Sequence, residues 1–256
     1  MYNIEEENPL SEEAVQAWPF RPLPALAIGL VLVSVLKQVW IFNYMFNFLA
    51  TLVHEIGHTI FAWLMGMPSF PSVSLFGGGV TRGIGQIPLL CVGIIAALCW
   101  YAWQVRAERH WFIATIYVTI VYALLAFTKA SENLVVAGGV LFEIGGACAC
   151  FYWVLCGRMN TPLERPLYAL WGWWMLLNRL GETYLMLRNP SYWDERVIIQ
   201  SGFGEGLVND LPRLCEELNL SPQTVLLFVL WLCLGALPTA FLLRWLKQRA
   251  LQTEVA

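Results

Sequence analysis

Charge is scarce in this sequence. Only 13% of its 256 residues are Asp, Glu, Lys or Arg, and 58% are hydrophobic, where a soluble globular domain carries about 25% charged residues. A chain of this size cannot cover itself in water with so few polar groups, so lipid must form part of its solvent. Basic runs are missing too. The net charge is −3 with Lys and Arg scattered, which argues against nucleic-acid binding. A secretory signal needs a positive start, yet Met1 to Glu13 is acidic and holds no Lys or Arg. None is predicted, and the first hydrophobic helix is expected to act as an uncleaved anchor. Paired zinc-ribbon cysteines are absent. Cys91, Cys99, Cys148, Cys150, Cys156 and Cys233 lie in apolar stretches and read as small buried residues without chemistry.

Long apolar segments are what the chain has in abundance. A bilayer core of about 30 Å takes roughly 20 apolar residues per helix. Such segments run approximately over 24–43, 45–66, 84–105, 111–128, 133–157, 166–187 and 223–246. The expected fold is an all-α polytopic membrane protein of about seven transmembrane helices. It forms a single domain with its core at 24–246, an acidic tail at 1–20 and a polar loop at 188–222. Asn43 and Asn47 are expected at the turn between the first two spans. Trp100, Trp103, Trp111, Trp171, Trp173 and Trp174 sit near span ends, as an aromatic belt would. Residues 67–83 hold Pro68, Pro71 and Gly77-Gly78-Gly79, which breaks helices and lets backbone approach a neighbour. With seven spans, Arg106, Arg109, Arg158, Arg165, Arg244, Lys247 and Arg249 share one side, which predicts a cytoplasmic C-terminus.

Chemistry concentrates at His54-Glu55-Ile56-Gly57-His58. Two histidines four apart share one face of a helix, about one turn from each other, and can ligate one tetrahedral Zn²⁺. Glu55 is turned by about 100° from His54, placed to reach water beside the metal. This is the division of labour in H-E-x-x-H metalloproteases, with two ligands and one general base. The chain has three histidines in all, so this spacing seldom arises by chance. Three ionisable groups within one apolar helix are also costly at bilayer depth, about 2.5–3.5 kcal/mol for each charged group. Gly57 would let a neighbouring backbone approach the metal face, or serve helix packing with Ala62 and Gly66.

A His-Glu-x-Gly-His motif inside a hydrophobic helix resembles the site-2 protease family of intramembrane metalloproteases. The stretch His54 to Gly66, followed by Phe76-Gly77-Gly78-Gly79-Val80-Thr81, is most similar to its compact bacterial branch. The resemblance implies zinc-dependent hydrolysis of a peptide bond of a membrane protein or peptide substrate, within or beside a bilayer; the lack of targeting signals and the compact chain suit a bacterial inner membrane. It also implies that residues 72–82 form a short glycine-rich extended segment that receives substrate, with Gly77, Gly78 and Gly79 as substrate-binding positions.

A catalytic zinc needs a third protein ligand, which the family usually takes from a Leu-Asp-Gly string that this chain lacks. Three acids compete. Glu143, in Leu141-Phe142-Glu143-Ile144-Gly145-Gly146, ranks first because it lies near mid-span like His54; the alternative is a helix–helix hydrogen bond. Asp210, in Val208-Asn209-Asp210-Leu211-Pro212, ranks second, since its loop would have to fold back into the membrane; a helix cap would also explain it. Glu182 ranks last. Two other functions compete with the protease. One is a membrane metal-ion or proton transporter, disfavoured because no internal repeat appears; the other is a non-catalytic relative that binds membrane peptides.

Overall fold

The structure is a computed structural model that describes residues 21–73, 79–157, 163–189, 191–192 and 210–255. It is mostly helical. Helices α1 (Pro22–Leu36) and α2 (Trp40–Leu64) are followed by strands β1 (Ser69–Val73) and β2 (Gly79–Gly83). Then come α3 (Pro88–Gln104), α4 (Arg109–Ala126), α5 (Ala130–Cys156), α6 (Glu164–Arg188), α7 (Asp210–Leu218) and α8 (Pro222–Val255).

Among the described residues, α4, α5 and the Pro222–Ala250 part of α8 are long and apolar enough to cross a membrane. Helices α1 and α2 pass that test only as a pair, bent by 115° at the break between them, which would make four. Helix α3 is apolar but has 17 residues, about 25 Å at 1.5 Å per residue. Only 17% of the α4 span is buried, so its apolar side chains face outward as lipid contact requires. The break after α1 falls at residues 37–39. Asn43 and Asn47, expected at that turn, instead lie inside α2 and bond to each other at 3.2 Å.

By packing, the chain divides into two compact units. The first comprises residues 1–47, 143–185 and 228–256. Its core holds Trp174, Phe151, Met175 and Val154, all essentially without exposure. Helix α1 approaches α6 so closely that a Cβ at Gly29 would stand 2.5 Å from that of Ala169. The Trp173 indole donates to Leu26 O at 3.0 Å. Trp174, expected in an interfacial belt, is fully buried; its indole N–H has a partner in Asn47 Oδ1 at 3.1 Å, and its ring stacks on Phe46 at 4.7 Å. A buried indole needs such a donor outlet, and Asn47 supplies it.

The second unit comprises residues 48–142 and 186–227. Helix α2 ends where Gly66 takes a φ of +73°, a left-handed stop that glycine accepts without strain. The carbonyls freed at that end are covered. Met67 N–H reaches Ala62 O at 2.7 Å, Tyr122 O–H reaches Leu64 O at 2.7 Å, and Gln86 donates to Met65 O at 2.9 Å while also reaching Ala126 O, at the end of α4, at 2.6 Å. The chain then turns back as an antiparallel hairpin, with Ser69 opposite Gly83, Pro71 opposite Thr81 and Val73 opposite Gly79. Every residue whose side chain builds the site described next lies in this unit.

Candidate metal centre

His54, Glu55 and His58 sit on α2, and one donor atom from each lies within 4.8 Å of the others. The Nε2 atoms of His54 and His58 are 3.1 Å apart. Asp210 joins them: its Oδ2 lies 2.7 Å from His54 Nε2 and 3.1 Å from His58 Nε2. Donors about 2.0–2.1 Å from a tetrahedral zinc are separated by roughly 3.3 Å. The triangle is therefore a few tenths of an ångström tighter than a filled site, a difference that small side-chain adjustments absorb.

The protonation pattern favours a cation here. His58 Nδ1 lies 2.7 Å from Val135 O, and a carbonyl only accepts, so Nδ1 carries the hydrogen. In the neutral ring, Nε2 then presents its lone pair toward His54 and Asp210. This is the second-sphere arrangement that orients ligating histidines. Three electron-pair donors this close repel one another unless protons or a cation lie among them. Burial works against a charge on Asp210, but when the two rings are protonated their N–H groups donate to it and their charge outweighs burial, holding the carboxyl well below the usual carboxylate range.

Backbone closeness shapes the site on two sides. A Cβ at Gly139 of α5 would stand 2.5 Å from both Nε2 atoms. A Cβ at Gly57 would stand 2.6 Å from Gly138 O, so α2 and α5 meet backbone to backbone through small residues. On the other side, Glu55 is buried and its Oε2 accepts a 2.7 Å hydrogen bond from Thr81 Oγ1. A Cβ at Gly79 would stand 2.5 Å from Glu55 Oε1. Strand β2 thus lies directly on the carboxylate. Gly77 and Gly78 lie outside the described residues.

Asp210 is delivered by α7, whose Leu211, Leu214 and Cys215 are buried while Arg213 and Glu216 are exposed. That i, i+3, i+4 stripe docks the short helix by its apolar face. Most of the polar loop before it, residues 193–209, lies outside the described residues. A cavity of about 370 Å³ opens beside Glu55, His58 and Asp210, with Thr81, Ser69 and Val135 among its walls.

Glu143, ranked first as third ligand, is engaged elsewhere. Arg179 Nε donates to its Oε2 at 3.0 Å and Nη2 adds a second bond to the same oxygen, while Nη1 donates to Glu182 at 3.0 Å. Both candidate glutamates are thus bound to one guanidinium. The order of candidates is corrected accordingly, with Asp210 ahead. Gly138 and Gly139 touch α2, whereas among the described residues nothing lies within 4 Å of a Cβ at Gly145. Thr81 was expected only as part of the substrate-receiving segment 72–82, not as a partner of Glu55, and Val135 and Gly139 carried no assigned role.

No family model, curated protein or solved structure matches this chain.

Proposed function

We propose that the chain is a multi-pass zinc metalloendopeptidase that cuts a membrane-embedded or membrane-adjacent peptide, as its resemblance to the site-2 proteases implies. The observation that carries this reading is the convergence of His54 Nε2, His58 Nε2 and Asp210 Oδ2 within 3.1 Å of one another, with the Glu55 carboxylate beside them. Two imidazoles, one carboxylate and a second carboxylate beside them are the donor set of a catalytic zinc with a general base.

Zinc bound there would supply an electrophilic centre for water and for the substrate carbonyl. His54, His58 and Asp210 would hold it. Glu55 takes a proton from the attacking water at its carboxylate and hands it to the leaving amine. Thr81 fixes that carboxylate through its 2.7 Å hydrogen bond, and Gly79 leaves it room. Hairpin β1–β2 offers an extended edge along which a locally unwound substrate can pair. The seven-span arrangement and a bacterial inner membrane belong to the same proposal.

Glu55→Gln tests it. In proteoliposomes with a membrane-spanning peptide, the variant should retain one zinc per chain and lose cleavage. Continued proteolysis would refute the base assignment. A transporter would instead show metal flux across the same vesicles, and a peptide-binding relative would show neither flux nor cleavage in the wild type.

A further inference from the structure

Ser69 is 2% exposed, yet its Oγ has no hydrogen-bond partner among the described residues. A buried hydroxyl without a partner opposes folding, and native structures retain few of them. Its surroundings rule out an easy partner. The backbone carbonyl of Ser69 already accepts the Trp63 indole at 2.8 Å. The residue opposite is Gly83, which offers no side chain, and a Cβ there would stand 2.9 Å from that of Ser69.

Register shows which way this hydroxyl looks. Cross-strand partners and alternate residues share one face of a sheet, so Ser69 and Gly83 share the face of Thr81 and Gly79. That face meets Glu55, through the Thr81 hydroxyl and the bare Gly79 backbone. Ser69 also lines the cavity that contains Glu55, His58 and Asp210. Along the strand it lies two residues from the Thr81 position, about 7 Å at the rise of a β-strand. An extended peptide advances by one dipeptide over the same length.

We propose that the Ser69 hydroxyl is a substrate-positioning group, which donates a hydrogen bond to a backbone carbonyl of the bound peptide about one dipeptide from the scissile bond. The inference rests on the protease reading above. It explains why a buried polar atom has no partner among the described residues: the peptide itself is the partner.

The test uses the full-length, zinc-loaded chain in detergent, as wild type, Ser69→Ala and Ser34→Ala. Ser34 is exposed on α1, in the compact unit that does not hold the site. Three probes are titrated: acetohydroxamate, which needs only the metal, and two hydroxamates carrying a leucyl-alanine extension on one or the other side of the chelating group. Ser69→Ala should weaken one extended probe by about fivefold to tenfold, the size of one neutral hydrogen bond. Acetohydroxamate should bind unchanged, and Ser34→Ala should behave as wild type. Thermal unfolding of Ser69→Ala should come at the same temperature or higher, because an unsatisfied group has been removed. Unchanged binding of both extended probes, an equal loss for all three, or a lowered unfolding temperature would each overturn the proposal. A wild type that binds neither zinc nor acetohydroxamate would sink the protease reading, and this inference with it, which is a different outcome from a selective null at Ser69.

Discussion

Gly139→Ala is the sharpest perturbation of the metal centre, because it adds one methyl group and removes nothing. The new Cβ would stand 2.5 Å from both His54 Nε2 and His58 Nε2, where carbon contacts settle near 3.5–4.0 Å. Something must yield by about 1 Å. Helix α5 cannot back away without opening its contact with α2, where a Cβ at Gly57 would already be 2.6 Å from Gly138 O. The imidazoles must therefore turn, and a side chain some 30° off its rotamer costs about 0.5–1.5 kcal/mol. Two of them make about 1–3 kcal/mol, or roughly a fivefold to hundredfold loss of zinc affinity. Metal sites tolerate only about 0.2 Å in ligand distance, so relaxation elsewhere cannot absorb the shift. The matched control is Gly145→Ala on the same helix, where no described residue lies within 4 Å of the added Cβ; it should bind zinc as wild type and gain about 0.5–1 kcal/mol from helix propensity. Competition against a chromophoric chelator measures both. Equal zinc affinity in the two variants would refute the placement of α5 on the histidines.

Other outcomes follow from the same geometry. Asp210→Asn should lower bound zinc well below one per chain, whereas Glu143→Gln should leave zinc in place; metal counting on purified protein decides between them. Glu143→Gln should instead cost about 3 kcal/mol of stability, the low end for breaking a buried ion pair, since Arg179 keeps Glu182; denaturant titration in detergent measures it. Thr81→Val should keep zinc and slow cleavage by about tenfold to a hundredfold, the usual scale for losing a group that orients the reacting shell, read from turnover at saturating peptide.

Much of the site was legible because it depends on spacing within one helix. His54 and His58 need only α2 to be helical to share a face, and Glu55 follows from the same geometry. The glycine-rich break after Gly66 was legible for a similar local reason, since Pro68 and Pro71 cannot continue a helix. Less local features were hidden. Nothing in the residues around Lys37 marks the 115° bend, because it is tertiary contact that holds the chain there, with Lys37 bonded to Asn178 Oδ1. Trp174 looked interfacial because Trp usually is, and its burial depends on an asparagine 127 positions away.

The candidate third ligands show why position within a span misranks acids in apolar helices. Glu143 lies near the middle of its span in the sequence, but a buried carboxylate takes the strongest charge-assisted partner it can reach, and Arg179 offers its oxygen two N–H groups. A guanidinium is always charged and cannot remain unpaired in an apolar setting, so Arg179 demands an acid as firmly as a zinc does. The chain holds more acids in apolar surroundings than the histidine pair engages, and the arginine sorts them. Asp210, on a helix of nine residues whose first turn carries no arginine until the exposed Arg213, keeps its oxygens for the imidazoles. Reading Arg179 first, as the most demanding charge in its span, would have assigned Glu143 and Glu182 to it and left Asp210 for the histidines.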